Sequence, residues 1–483
     1  MIRHIFKLKK MALSGALPLL LFSINAHAQQ VISLQKAVAL ALDRNLTVKQ
    51  AQITEKLGAE DVKQAQNNQV PTVSINPQAS YNFGRSANLN TYSYTSQSYL
   101  YFGGQASVGV TLFQGGTLRN QILQNKITLD ADKTSTEKVK NDLVLNVVVD
   151  YLQILTNQDL VAAAGQQLGI AKITLDRAQK NYDAGNQTLA DLSQAKAGVS
   201  TAELNLTTAQ NQLATSLLTL KQYMEMSPDS DITVERPDIS KLENVKTLFD
   251  ADNVINTALK VNPDVRLAEY QEKAYLQAIK VAKGAYYPTL SLFGGLGTNY
   301  SSVQNQQIVG GTTPVSVPIG TVQGTNQTVY SLEKVSSPIY GPYRFFDQFG
   351  NNLNEAVGLS LQIPVFNHAN ASIAVKKAKL NYEYAQVNTQ LAKDNLSKTI
   401  AQALLDLKAA EKSYVSAQQT YQSNKDAFNT IKQRYDVGLV NSLDYNTALT
   451  NYDKAQNDMI AAKYTLIFRS KVIDYYLGNP IAL

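Results

Sequence analysis

The sequence predicts an α+β membrane protein built from two structural repeats, each a helix, a pair of strands and a long helical hairpin. Three observations predict it. One stretch of the chain recurs, motif by motif, more than 200 positions later. Short segments alternate strictly between apolar and polar residues. Two long stretches free of proline carry an unbroken seven-residue apolar repeat.

The duplication is read first, because it sets the frame. Ala41-Leu42-Asp43-Arg44-Asn45-Leu46-Thr47-Val48 recurs as Ala258-Leu259-Lys260-Val261-Asn262-Pro263-Asp264-Val265. The same offset carries Pro71-Thr72-Val73-Ser74-Ile75 onto Pro288-Thr289-Leu290-Ser291-Leu292. Further along the offset is longer. It maps Phe113 onto Phe366 and Tyr182-Asp183-Ala184-Gly185 onto Tyr435-Asp436-Val437-Gly438. The extra length falls between Pro288 and Phe366. It is supplied by residues 298–352, whose Gly, Ser, Thr, Gln and Asn content reads as a long loop. Repeat 1 therefore covers 29–240 and repeat 2 covers 241–483, joined near Ser227 to Pro237.

Residues 1–28 are read as a secretory signal peptide. Arg3, Lys7, Lys9 and Lys10 precede an apolar run from Met11 to Ile24, and Ala26-His27-Ala28 is a small-residue cleavage site. Removing its four basic residues from 44 leaves 40 against 38 acidic ones, so the basic balance gives no warrant for nucleic-acid binding. The chain has no cysteine, which excludes disulfides, thiolate sites and a lipidated cysteine. His368 is the one histidine outside the signal segment, so zinc, haem and histidine-based catalysis lack ligands. No nucleophile elbow, phosphate-cradling glycine loop or metal-ligand spacing occurs, and neither enzyme activity nor a cofactor is expected.

Four segments read as strands: about 71–83, 105–113, 288–297 and 354–366. In the first, Val73, Ile75, Pro77, Ala79, Tyr81 and Phe83 oppose Thr72, Ser74, Asn76, Gln78, Ser80 and Asn82. Val108 and Val110 oppose Ser107 and Gly109 in the second; Val357, Leu359, Leu361 and Ile363 oppose Gly358, Ser360 and Gln362 in the fourth. The third is weaker, because Phe293 stands on the face opposite Leu290, Leu292 and Leu296. Such alternation suits a sheet with lipid on one side and a wet lumen on the other. Tyr92, Tyr94, Tyr99 and Tyr101 are placed to reach the headgroups. Four strands cannot close a barrel, and open edges in lipid leave backbone groups unpaired. The barrel must be shared between copies; two would give eight strands and three would give twelve.

The remaining length is helical. Repeat 1 carries a hairpin over about 116–225 and repeat 2 one over about 371–477, turning near Gly185 and Gly438. Ile400, Leu407, Tyr414, Tyr421, Phe428 and Tyr435 are seven apart, with Ala403, Ala410 and Ala417 between them. Ile154, Val161, Leu168, Leu175 and Tyr182 keep the same register, with Ala164, Ala171 and Ala178 between. A strict heptad implies a left-handed supercoil.

The ordered, duplicated set of Pro71 and Pro288, Phe113-Gln114-Gly115-Gly116, and the turns Tyr182-Asp183-Ala184-Gly185 and Tyr435-Asp436-Val437-Gly438-Leu439 resembles the TolC family of outer-membrane factors over essentially the whole mature chain. The resemblance implies a homotrimer. Its shared 12-stranded β-barrel in the outer membrane continues as a periplasmic α-helical coiled-coil tunnel. It also implies an efflux or type I secretion duct that meets a periplasmic adaptor and, through it, an inner-membrane pump. Val437, Gly438 and Leu439 match the family's adaptor-contacting tip; in the other turn Gly185 matches but Ala184 and Asn186 depart. Asp191 and Tyr435 take the places of a hydrogen-bonded gate pair, and Asp444 that of an inward acid. Val440 and Ala190 replace a second gate link, and Thr447 a second acid. Read from the residues alone, the glycines supply a turn with positive φ and the aspartates supply helix N-terminal charge. A structural coiled-coil scaffold or surface adhesin is the alternative that the heptads also allow.

Overall fold

The computed structural model describes residues 30–88, 93–236, 247–308, 310–336 and 339–479. The expected signal peptide, the boundary at 240 and Tyr92 lie outside the described residues.

The described residues begin with strand β1 (Gln30–Ile32), helix α1 (Leu34–Arg44) and helix α2 (Leu46–Asn67). The recurring asparagine now has a cause. Asn45 accepts from Thr47 N at 2.9 Å and caps α2. Its counterpart Asn262 accepts from Asp264 N at 2.8 Å between helices α5 (Ala251–Val261) and α6 (Pro263–Lys283). Each asparagine breaks a helix pair at one point and restarts it, as an N-cap does. Strand β6 (Ile232–Val234) pairs in parallel with β1.

Strands β2 (Thr72–Asn82), β5 (Tyr99–Gln114), β7 (Thr289–Ser301) and β12 (Asn354–Gln362) form one antiparallel sheet in the order β12-β7-β5-β2. The register makes rows across it. Val73, Val108, Gly294 and Val357 share one row; Ser74, Ser107, Gly295 and Ala356 share the next. The middle of the apolar face has no cover: Val73 is 71% exposed, Ile75 72% and Val357 83%. The polar face binds itself, with Ser74 and Ser107 hydroxyls 2.7 Å apart. Phe293 sits on that polar face because its neighbours across the strands are Gly109 and Gly358. A side chain at Gly358 would meet the tip of the Phe293 ring at 2.8 Å. Strands β2 and β12 are hydrogen-bonded on one side only within this chain.

The short hairpin β3 (Arg85–Asn88) and β4 (Ser93–Ser96) joins β2 to β5. The second strand connection departs from the sequence reading. Residues 298–352 are not a plain loop. They extend β7 to Ser301 and then form β8 (Asn305–Ile308), β9 (Thr312–Thr321), β10 (Thr328–Ser336), β11 (Ile339–Pro342) and α7 (Phe345–Asn351). β9 pairs with β10 and β8 with β11. Gly324, at φ 103°, turns β9 into β10, while Pro314 and Pro318 lie inside β9 opposite Lys334 and Tyr330, as edge strands allow.

Helix α3 (Thr117–Asp183) and helix α8 (Asn370–Asp436) each run 67 residues, about 100 Å at 1.5 Å per residue. They return as α4 (Leu189–Tyr223) and α9 (Ser442–Tyr476). The turn from β5 into α3 uses Gly115 and Gly116 with φ of 56° and 75°. The corresponding turn before α8 places His368 and Ala369 at φ 54° and 60°, a conformation that costs a residue with a Cβ. On α8, Ile400, Ala403, Leu407, Ala410, Phe428 and Tyr435 are buried. The stripe on α3 is less covered. Ile154, Ala164 and Ala178 are buried, Val161, Leu168 and Leu175 are half-buried, and Tyr182 is exposed. The largest cores lie where the hairpins meet the short helices: one joins α1, β1, β6, α3 and α9, the other α5, α8 and α9. Among the described residues no helix is long and apolar enough to cross a membrane.

Candidate functional site: the hairpin tips and the inner groove

Both long hairpins end in the same backbone device. At the first, Gly185 N donates to Tyr182 O at 2.9 Å and Asn186 N to Asn181 O at 2.8 Å. At the second, Gly438 N donates to Tyr435 O at 3.1 Å and Leu439 N to Arg434 O at 2.9 Å. These paired bonds need a residue in the left-handed region, and both glycines have φ of 76°. The following helices are capped differently. Thr188 and Asp191 form a reciprocal box: Thr188 Oγ1 accepts from Asp191 N at 3.2 Å, and Asp191 Oδ2 accepts from Thr188 N at 3.1 Å. Asn441 accepts from Asp444 N at 2.8 Å. Val437 (70% exposed) and Leu439 (69%) project from the second tip, and Leu189 and Leu443 one turn further on are equally open. Four aliphatic side chains thus stand uncovered at the two tips.

Side chains tie the two tips together. Ser442 donates to Asp191 Oδ1, so the start of α9 holds the start of α4. Arg177 on α3 pairs with Asp436 on α8 and lies 5.6 Å above the Tyr435 ring. Gln187 Nε2 donates to the Tyr435 hydroxyl at 3.3 Å. Tyr435 stacks on Tyr445 at 4.6 Å, and Thr174 Oγ1 donates to the Tyr445 hydroxyl at 3.4 Å. The bonds from Ser442 and Thr188 hold the Asp191 carboxyl below the usual range. The Asp436 carboxylate raises Arg177 further, and burial raises Tyr445.

The sequence-predicted residues meet here, though not as a direct pair. In this protomer Asp191 is engaged by Ser442 and Thr188, while Tyr435 is engaged by Gln187, Arg177 and Tyr445. Asp444 is exposed near the start of α9. Sequence reasoning missed Arg177, Gln187, Thr174 and Ser442, because nothing local marks a polar residue whose partner lies some 250 positions away.

Above the tips, α3 floors a groove between α4 and α9. One section, about 600 Å³, is lined by Gln167, Thr174, Gln194, Asn446 and Asp453. Another, about 900 Å³, is lined by Asp150, Gln153, Asn157, Gln212 and Tyr464. Burial pushes the carboxyls of Asp150 and Asp453 each up to about 7. One oxygen of each is buried with no hydrogen-bond partner, as is Nε2 of Gln167. A low-dielectric site disfavours an unpaired charge, which is the whole cause of both shifts. No group of three metal-ligating side chains is present among the described residues.

A family model described as "Outer membrane efflux protein" matches residues 37–224 and 254–479. The outer membrane protein TolC of Salmonella enteritidis is 22% identical over 465 residues, covering 95% of this chain and 84% of that protein. Among solved structures, CusC superposes with a TM-score of 0.73 at 16% identity, over 94% of each chain. The CmeC outer membrane channel of Campylobacter jejuni gives 0.71 at 20% identity, over 92% of this chain and 85% of that one. With the family matched along most of the chain and the fold shared end to end, the protein belongs to the outer membrane efflux protein family and is an outer-membrane channel for efflux.

Proposed function

We propose that three copies of this chain form one gated, passive export duct. The carrying observation is the four-stranded sheet with two open edges and an uncovered apolar face. In hydrocarbon each unpaired backbone group costs several kcal/mol, so β2 of one copy must pair with β12 of the next. Three sheets supply twelve strands. The long hairpins then continue the barrel as a tunnel across the periplasm. Val437, Gly438, Leu439 and Gly185 contact a periplasmic adaptor, through which an inner-membrane pump drives a tripartite efflux or type I secretion system. Asp191, Tyr435 and Asp444 belong to the gate, with Arg177, Gln187 and Ser442 as its further links. The duct performs no chemistry; the work is done by the pump.

The chain has no cysteine, so engineered pairs report cleanly. Cysteines placed in β2 and β12, one in each strand, are expected to cross-link chains into a ladder ending at three. A ladder ending at two, or none in folded protein, sinks the trimer.

A further inference from the structure

Helix α7 stands apart from the rest of the insertion. It carries Phe345, Phe346 and Phe349 within one and a half turns. Phe345 packs edge-on to Phe102 at 5.8 Å, tilts over Tyr300 at 4.8 Å and stacks on Phe349 at 5.5 Å. Thr298 Oγ1 donates to the Phe349 carbonyl. By strand alternation Phe102, Thr298 and Tyr300 lie on the face of Val108, Leu292 and Val357, which is the apolar face. The helix therefore sits outside the sheet, not on its polar side.

It also closes a gap. β12 pairs with β7 only as far as Gly297. Beyond that point Ser301 N donates to Gln348 Oε1 at 2.8 Å, and Asn352 Nδ2 donates to Asn299 O at 2.9 Å. Gln348 is fully buried and donates to Gln304 Oε1 at 2.8 Å. The helix is thus fixed in place by an edge that would otherwise be bare. Yet Phe346, beside Phe345 at 5.2 Å, is 84% exposed. Arg344 and Asp347 lie near it in the sequence, and Glu355 lies on the apolar face of β12. Charges mark the limit of an apolar band, and an aromatic at that limit suits a headgroup boundary. β7 leaves the helical end at Thr289 and reaches α7 at its far end, so the boundary is that of the outer leaflet.

We infer that α7 is an interfacial anchor whose Phe346 enters the acyl chains of the outer leaflet. The assignment rests on the apolar sheet face meeting lipid, and it takes its occupant from continuity with that face. The competing occupant is a neighbouring copy, whose Tyr81 and Phe83 end the adjacent strand.

The chain contains no tryptophan, so Phe346→Trp introduces a single tryptophan at an exposed position, read by exciting at the red edge where the tyrosines do not absorb. The full-length protein is reconstituted in phosphatidylcholine vesicles whose acyl chains carry bromine near the headgroup or near the methyl end. Val357→Trp reports the lipid face and Ser107→Trp the polar face. The expected result is about a twofold or greater loss of Phe346→Trp emission with shallow bromine and less with deep bromine, as for a residue at the interface. Quenching by aqueous acrylamide with no bromine effect would place the helix in water and overturn the inference. Quenching by neither would place it against a neighbouring copy, and overturn it equally. If Val357→Trp itself escapes bromine, the lipid-facing sheet fails, and with it the reading on which the anchor rests.

Discussion

Removing Ser442 and Arg177 together tests the clasp between the two hairpin tips. Ser442→Ala deletes the hydroxyl that donates to Asp191. A hydrogen bond to a charged group contributes about 1.5–3 kcal/mol net, but Asp191 is half-exposed and keeps its bonds from Thr188, so about 1 kcal/mol is the working figure. Arg177→Ala breaks an ion pair whose side chains are 40% and 38% exposed, for up to about 1 kcal/mol. It also removes a cation over the Tyr435 ring, for about 0.5 kcal/mol at such a site. The double variant therefore loosens each protomer by about 2 kcal/mol. If protomers open independently, the open-to-closed ratio of each rises about 30-fold; if three open as one, about 6 kcal/mol gives a rise of about 10⁴. Tyr435→Phe keeps its stacking on Tyr445 and loses only a 3.3 Å bond, so it is expected to change the ratio about twofold. Single-channel recording in planar bilayers reads all three. A double variant as closed as the parent, or a Tyr435→Phe channel more open than the double variant, would refute this assignment of the clasp.

Three other outcomes follow from the same physics. The carboxyls of Asp150 and Asp453, pushed up to about 7, bind protons in the fold that they release when unfolded. Their contribution is thus fully present below about pH 3.8 and lost as pH rises through about 7. Asp150→Asn and Asp453→Asn are expected to stabilise the protein at pH 8 by about 1–2 kcal/mol each after solvent screening, and to do nothing near pH 4; equal melting shifts at both pH values would contradict it. Asp191 has the opposite sign: its lowered carboxyl holds the clasp above about pH 4 and releases it as pH falls through the depressed value, so channels recorded at pH 5 should stay as closed as at pH 7. Gly358→Ala crowds the Phe293 ring and should cost about 1–3 kcal/mol of thermal stability, while adding Phe293→Ala should restore part of it; additive losses would mean the two do not touch.

Much of this architecture is legible without coordinates because its signals are long and local. Helix α8 spans Asn370–Asp436 where the sequence reads a helix from about Ala371, since a heptad kept from Ile400 to Tyr435 leaves little choice of register and Gly438 dictates the stop. Phe293 reads as an anomaly until Gly109 and Gly358 appear beside it; cross-strand neighbours are set by register, which alternation alone does not give. The insertion was opaque for a related reason. In β9 and β10, polar composition and a shift between Val329 and Tyr330 mask the pairing of two exposed strands. The clasp was half legible. Asp191 and Tyr435 are readable as candidates, but which hydroxyl reaches Asp191 depends on how α9 begins relative to α4, which no local pattern gives.

The open edges of β2 and β12 also bear on inheritance. A subunit that cannot finish its own sheet exists in the membrane only as a share of a ring. When parent and defective subunits are made in equal amounts and mix freely, about one ring in eight of a three-subunit assembly is wholly parental. A lesion confined to a tip, which leaves the strands competent to join, would then disable most of the ducts in a cell that still carries an intact copy. A lesion that prevents a strand from pairing would be excluded from the ring and pass unnoticed. The severity of a variant in mixed expression thus runs opposite to the damage it does to the isolated chain.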